Sequence, residues 1–282
     1  MDAISPVRTS YGPMRLASRT LPDNRRIKHA DAWWSIVRLL GRYQGRNGEI
    51  EIVECSRDGT RIYFEQGVRQ SQATPDGESV FTYVKIMDEL LRRAKNVLVL
   101  GCGGGNLATR LAGLGKSLTI VDNNPVSFVI AHKFFGLPDD LPSIVSDFRK
   151  FIFDDDALYD GIAIDVGGPG FRFNEMFDAE TCDAIRARLA PGGRIVMNVL
   201  VANDIDPIPD QIAARLAGES LGIWIIDEQS IQDRNAIIVC VPEKQLGARP
   251  ALEALMENSL ERWSIRRGRL RCHDLTVGPR NW

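Results

Sequence analysis

The run Asn96-Val97-Leu98-Val99-Leu100-Gly101-Cys102-Gly103-Gly104-Gly105-Asn106 passes from apolar, partly β-branched residues into closely spaced glycines, after which Leu107, Leu111 and Leu114 repeat at helical spacing. This order predicts a strand, a tight turn and a helix. Gly101, Gly103 and Gly105 can take positive φ and let a ligand approach bare backbone, while the N–H groups at the helix start meet electron-rich atoms. That glycine spacing is shared by dinucleotide binders and by sulfonium-nucleoside binders. The next apolar run, Ser117 to Asp122, stops on a carboxylate about 20 residues after the glycines, the distance at which an acidic residue reaches a ribose diol. Asp122 therefore reads as a ribose ligand. Asp-Asn-Asn-Pro is also a good helix start, but Asn124 can cap the helix in place of Asp122.

The elements around these residues alternate. A helix from about Ser79 to Arg93, with Val80, Tyr83, Met87, Leu90 and Leu91 on one face, leads into the glycine strand. Beyond Asp122 the pattern predicts a helix over Pro125 to Phe135, a strand over Ser143 to Ser146, a short helix after Asp147 and a strand over Tyr159 to Asp165. A helix over about Ala179 to Leu189 and a strand over Arg194 to Val199 follow, separated by a helix stop and turn at Ala190-Pro191-Gly192-Gly193. Alternating strands and helices imply a parallel sheet with helices on both faces and a ligand crevice at the strands' carboxyl ends. Near the end, a helix around Pro209 to Leu216 precedes two apolar runs, Gly222 to Ile226 and Ala236 to Val241, which fit a terminal hairpin. A helix near Ala251 to Asn258 and a basic tail close the chain.

Upstream, the alternation in Ile50 to Glu54 and Arg61 to Glu65, around the turn Arg57-Asp58-Gly59, predicts a small antiparallel β unit. Residues 1–48 are arginine-rich and proline-interrupted, and only Ala30 to Leu40 has helical spacing. Trp33 and Trp34 would pack this extension on the main domain or on a second subunit. A sharper alternative is a lid in which Arg38 and Arg42 meet an anionic acceptor. The expected division is therefore a basic extension over 1–48, a β unit over 49–75, a catalytic domain over 76–245 and a C-terminal helix and tail over 246–282.

With 282 residues and a formal net charge of -2, nothing global suggests nucleic acid or a membrane surface. No apolar stretch reaches the 18 or so residues needed to span a bilayer, and the first residues lack the apolar core of a secretory signal. Five cysteines (Cys55, Cys102, Cys182, Cys240 and Cys272) lack paired metal-ligand spacing and suit reduced thiols in a cytoplasm. Three histidines without ligand spacing leave no metal site expected.

Several stretches together resemble the spermidine synthases, or polyamine aminopropyltransferases, within the class I S-adenosylmethionine-dependent methyltransferase superfamily. They are Glu65-Gln66-Gly67-Val68-Arg69-Gln70-Ser71, Phe81-Thr82-Tyr83, the glycine turn, Val121-Asp122, Ser146-Asp147-Phe148 and Tyr159 to Asp165. The resemblance implies a Rossmann-like α/β sheet and a homodimer. It implies S-adenosylmethionine as cofactor, held by Gln70, Gly101, Gly103, Gly105, Asp122, Asn123, Asp147, Phe148 and Asp165. In that layout Asp122 meets the ribose and Asp147 the adenine amino group. Phe148 flanks the ring, and Asp165 lies near the sulfonium. A carboxylate can accept from an exocyclic amine, and a second one can hold a cation or take a proton. Asp147 can also cap the helix that follows it.

The departures narrow the reaction. Where aminopropyltransferases carry an aspartate in the glycine turn this chain has Gly104, and after the helix tyrosine it has Val84. Their D-S-S-D-P run becomes Asp165-Val166-Gly167-Gly168-Pro169. A flexible dication loses hydration at both ends and needs fixed negative charge at each. The expected function is therefore methyl transfer from S-adenosylmethionine to a small-molecule acceptor, with Asp165 and Tyr83 as base or orienting groups. Aminopropyl transfer from the decarboxylated cofactor and a non-catalytic cofactor-binding subunit are the alternatives.

Overall fold

Strand β5 (Asn96–Leu100) is buried along Val97, Leu98, Val99 and Leu100, as a strand covered on both faces must be. The computed structural model describes residues 37–168, 170–228, 232–246, 252 and 263–267. Around β5 it assembles an eight-stranded sheet with β6 (Ser117–Asp122), β7 (Ser143–Val145), β8 (Tyr159–Ile164), β9 (Leu189–Val201), β10 (Leu221–Glu228), β11 (Arg234–Pro242) and β12 (Trp263–Arg267). The spatial order is β12-β10-β11-β9-β8-β5-β6-β7. Pairs from β9 to β7 are parallel, and β10, β11 and β12 add antiparallel. The chain winds from β5 outward to β7 and then returns to place β8 on the other side of β5. The carboxyl ends of β5, β6 and β8 therefore flank the switch point where such sheets take ligands.

Helices α1 (Thr82–Leu91), α2 (Asn106–Gly113), α3 (Pro125–Phe135), α4 (Phe148–Asp154), α5 (Phe173–Met176), α6 (Ala179–Ala187) and α7 (Ile208–Ala217) cover the sheet. Two cores result. One joins Ile86, Met87, Leu91 and Leu111 to Val97, Val99 and Val196, and the other joins Phe177, Ile185 and Ile212 to Leu98, Leu100, Ile164 and Met197. Val80 lies before α1 and is 41% exposed, so the apolar face begins at Tyr83 and not at Val80.

The second sheet is a four-stranded antiparallel meander: β1 (Val37–Gln44), β2 (Glu49–Cys55), β3 (Arg61–Glu65) and β4 (Val68–Ala73). It docks on α3 by burying Ile50, Ile52, Tyr63 and Ala73 against Val126, Ile130, Phe134 and Phe135. Its first strand corrects the helix expected over Ala30 to Leu40, of which only Val37 to Leu40 falls in the described residues. Those four residues are strand, because Val37 and Leu39 find partners in Cys55 and Val53, and long-range pairing overrides helical spacing. Arg38 pairs with Glu54 at 2.7 Å and Arg42 with Glu51 at 2.8 Å across the sheet. Trp33 and Trp34 lie outside the described residues.

Two further differences concern the C-terminal half. Ala190 to Gly193 sits inside β9 as an irregularity, since Tyr159 pairs with Leu189 and Gly161 with Arg194. The hairpin β10–β11 has the expected form, but β12 adds a third antiparallel strand on β10, where only a tail was expected. The helix expected at Ala251 to Asn258 lies outside the described residues except for Leu252. Among the described residues no helix is long and apolar enough to cross a membrane.

Candidate functional site

The glycine turn is built by backbone crowding. Gly101, Gly103 and Gly105 have φ of +95°, +52° and +74°, and a Cβ on Gly101 would stand 2.1 Å from the Asp165 carbonyl oxygen. The turn thus lies directly against the end of β8. Gly104 is closed in differently: its N–H donates to Ser71 Oγ at 2.9 Å, and a Cβ there would meet Ser71 Cβ at 2.7 Å.

Asp122 ties this turn to β6. Its Oδ2 accepts from Cys102 N at 2.7 Å and its Oδ1 from Asn124 N at 2.8 Å, with the Gly103 N–H also aimed at the carboxylate. Burial raises its pKa and these N–H donors oppose the rise. Asn124 caps α3 through Val126 N at 3.2 Å, so the capping role is filled without Asp122. Asn123 is half-buried beside it.

Asp165 follows β8. Its Oδ1 accepts from Asn198 Nδ2 at 2.9 Å, and its Oδ2 faces the Tyr83 hydroxyl at a long 3.5 Å. Burial pushes the Asp165 pKa up while Asn198 and Tyr83 pull it down. Burial, and then the Asp165 charge, push Tyr83 well above its ordinary value. Tyr83 is therefore a proton-bearing donor near neutral pH, and the carboxylate is the proton acceptor of the pair. Tyr83 stacks on Phe81 with ring centres 5.6 Å apart, and the Arg69 guanidinium lies 4.9 Å over the Phe81 ring.

A small cavity of about 20 Å³ is lined by Ser71, Tyr83, Gly101, Cys102, Asn106 and Asp165, among others. Asn106 Nδ2 and Asn198 Oδ1 are buried there or beside it with no hydrogen-bond partner among the described residues. Such orphaned atoms are costly unless a ligand or water meets them. Asn198, Asn106 and Ser71 were not anticipated from sequence. The available signal was one polar residue inside the apolar run Ile195 to Val201 for Asn198, and the first helical position after the glycines for Asn106.

The remaining expected residues divide. Asp147 caps α4, with Oδ1 accepting from Arg149 N at 2.9 Å and Lys150 N at 3.2 Å, beside the end of β7. The Phe148 ring is 6% exposed and stacked on Phe177 at 5.3 Å, so it belongs to the core beneath the crevice and not to an open wall. Gln70 is the extra residue of a β-bulge, since Tyr63 pairs with Ser71 and Phe64 with Arg69. It is the next residue, Ser71, that touches the glycine turn.

A probable spermidine synthase from Corynebacterium glutamicum superposes over 86% of this chain and 95% of its own, with a TM-score of 0.69 at 17% identity. The chain has the spermidine synthase fold. The spermidine synthase from Thermotoga maritima covers 76% of this chain and 75% of its own, with a TM-score of 0.55 at 14% identity. No protein-family model matches the chain. A curated relative, the N-terminal histidine N-methyltransferase of Emericella nidulans, is 32% identical over 108 residues, which are 36% of this chain and 19% of that protein. The chain thus spans about one fifth of that relative's length.

The residues present fit the S-adenosylmethionine expected from the sequence. A turn with bare backbone, a carboxylate at the end of β6, a capping carboxylate beside β7 and an unpartnered Asn106 amide together offer acceptors for hydroxyls and an amine, and donors for a carboxylate.

Proposed function

We propose that this chain is an S-adenosylmethionine-dependent methyltransferase acting on a small-molecule acceptor. The observation that carries the choice of reaction is the contact between Gly104 and Ser71. A side chain at position 104 has no room, because its Cβ would stand 2.7 Å from Ser71 Cβ. The carboxylate that aminopropyltransferases carry in this turn is thus excluded by packing as well as missing from the sequence.

When bound, S-adenosylmethionine supplies a methyl group on an electrophilic sulfonium. The chain's residues do the rest. Asp122 would accept from the ribose hydroxyls, Asp147 would accept from the adenine amine, and the Asn106 side-chain amide would donate to the methionyl end. Asp165 takes the proton of the attacking group, and Asn198 and Tyr83 fix its orientation by donating to its two oxygens. Catalysis then rests on alignment, exclusion of water and one proton acceptor.

Aminopropyl transfer is the second reading, favoured by the likeness of fold to spermidine synthases. Incubation with putrescine and decarboxylated S-adenosylmethionine separates the two. The proposal expects no aminopropylated product, and product at an ordinary enzymatic rate would overturn it.

A further inference from the structure

Glu65 ends β3 and is 6% exposed. It is placed by two strand pairings, to Ile50 and to Val68, and by the turn Gln66-Gly67, in which both residues have positive φ. Its Oε1 accepts from Asn47 Nδ2 at 3.3 Å. Among the described residues no cation pairs with it, and the charge that acts on it is that of Asp122, another carboxylate. A buried carboxylate left without a cation costs stability, and such groups persist where function needs them.

What Glu65 faces gives the reason. A Cβ on Gly168 would stand 3.8 Å from Glu65 Oε2 and 3.7 Å from Asn47 Nδ2. Gly168 lies three residues beyond Asp165 on the loop leaving β8, with φ of +132°. The small sheet thus brings a carboxylate over the space that a side chain at position 168 would occupy. The loop keeps that space open by having none.

The geometry points to Glu65 as the acceptor-side carboxylate of this site, selecting an acceptor with a single basic nitrogen. The inference rests on the methyltransferase reading and adds its substrate class: a monoamine, whose ammonium meets Glu65 while its reacting end faces Asp165. One such carboxylate suits one cationic group.

The test uses the full chain with n-butylammonium chloride, sodium n-butyrate and n-butanol at matched ionic strength, titrated with and without S-adenosylhomocysteine. The ammonium should bind in preference to the other two. Glu65→Gln should weaken it at least about 10-fold, the value of a charge-assisted hydrogen bond. S-adenosylmethionine affinity should change less than ammonium affinity. The near-isosteric variant should fold with an equal or higher thermal midpoint, because it removes an uncompensated buried charge. Equal ammonium binding by both proteins, preference for butyrate, or a lower midpoint with ammonium binding retained would overturn the inference. Failure of the parent to bind S-adenosylmethionine strikes the methyltransferase reading instead, and the titrations without nucleoside still decide the role of Glu65.

Discussion

Asn198 on β9 and Asp165, the residue that follows β8, meet at 2.9 Å, and the Asn198 amide makes the shorter of the two side-chain hydrogen bonds to that half-buried carboxylate. The contact holds the Asp165 pKa below the value that burial alone would give it. Asn198→Ala should therefore raise that pKa further and move the acidic limb of the kcat/KM profile to higher pH. It should also lower turnover about 10-fold, by loss of a hydrogen bond to a charged group. An unshifted limb would show that Asp165 is not the proton acceptor.

Asp122→Ala should weaken S-adenosylmethionine binding about 10-fold to 100-fold, because the ribose hydroxyls lose a charged acceptor. The structure adds a cost in stability. The Cys102 and Asn124 N–H groups lose their acceptor as well, so thermal unfolding should show a loss of about 1–3 kcal/mol. Unchanged affinity would contradict the ribose assignment.

Gly104→Asp should not create polyamine activity. The new Cβ collides with Ser71, and overpacking of this kind costs about 1–3 kcal/mol. Adding Ser71→Gly should recover part of that loss. If Gly104→Asp alone were fully stable, packing would not be what keeps a side chain out of the turn.

Glu65 gives a pH-dependent stability whose sign is fixed by its raised pKa, caused first by burial. A group whose pKa is higher in the folded state contributes stability that is present at low pH and lost as pH rises through the folded value. Wild type and Glu65→Gln should therefore differ little below about pH 4, the ordinary carboxylate pKa. The variant should gain in relative midpoint as pH rises toward neutrality. A constant difference across that window would mean that folding leaves the Glu65 pKa unshifted.

Asp122 was legible in the sequence because a carboxylate closes an apolar run at a fixed distance from the glycines, and local spacing alone places it. The helices and strands between Asn96 and Ile164 were legible for the same reason. Glu65 was not, since its position depends on a small sheet docking on α3 and on a loop with no side chain at Gly168. Val37 to Leu40 misled because their apolar spacing fits a helix, whereas their partners lie on β2, beyond the Gln44–Glu49 turn. The strand β12 was missed because five residues with two arginines carry the signature of a charged edge and not of a core strand. The family resemblance implies Phe148 as a ring wall, but the stack on Phe177 that buries it is tertiary.

Titration calorimetry of the full chain with S-adenosylmethionine and with its decarboxylated form tests the central claim most directly. The two ligands differ by the carboxylate that the Asn106 side-chain amide is proposed to receive. S-adenosylmethionine should bind at least about 10-fold more tightly, the value of charge-assisted hydrogen bonds to one carboxylate. Equal binding, or preference for the decarboxylated form, would contradict the methyltransferase reading.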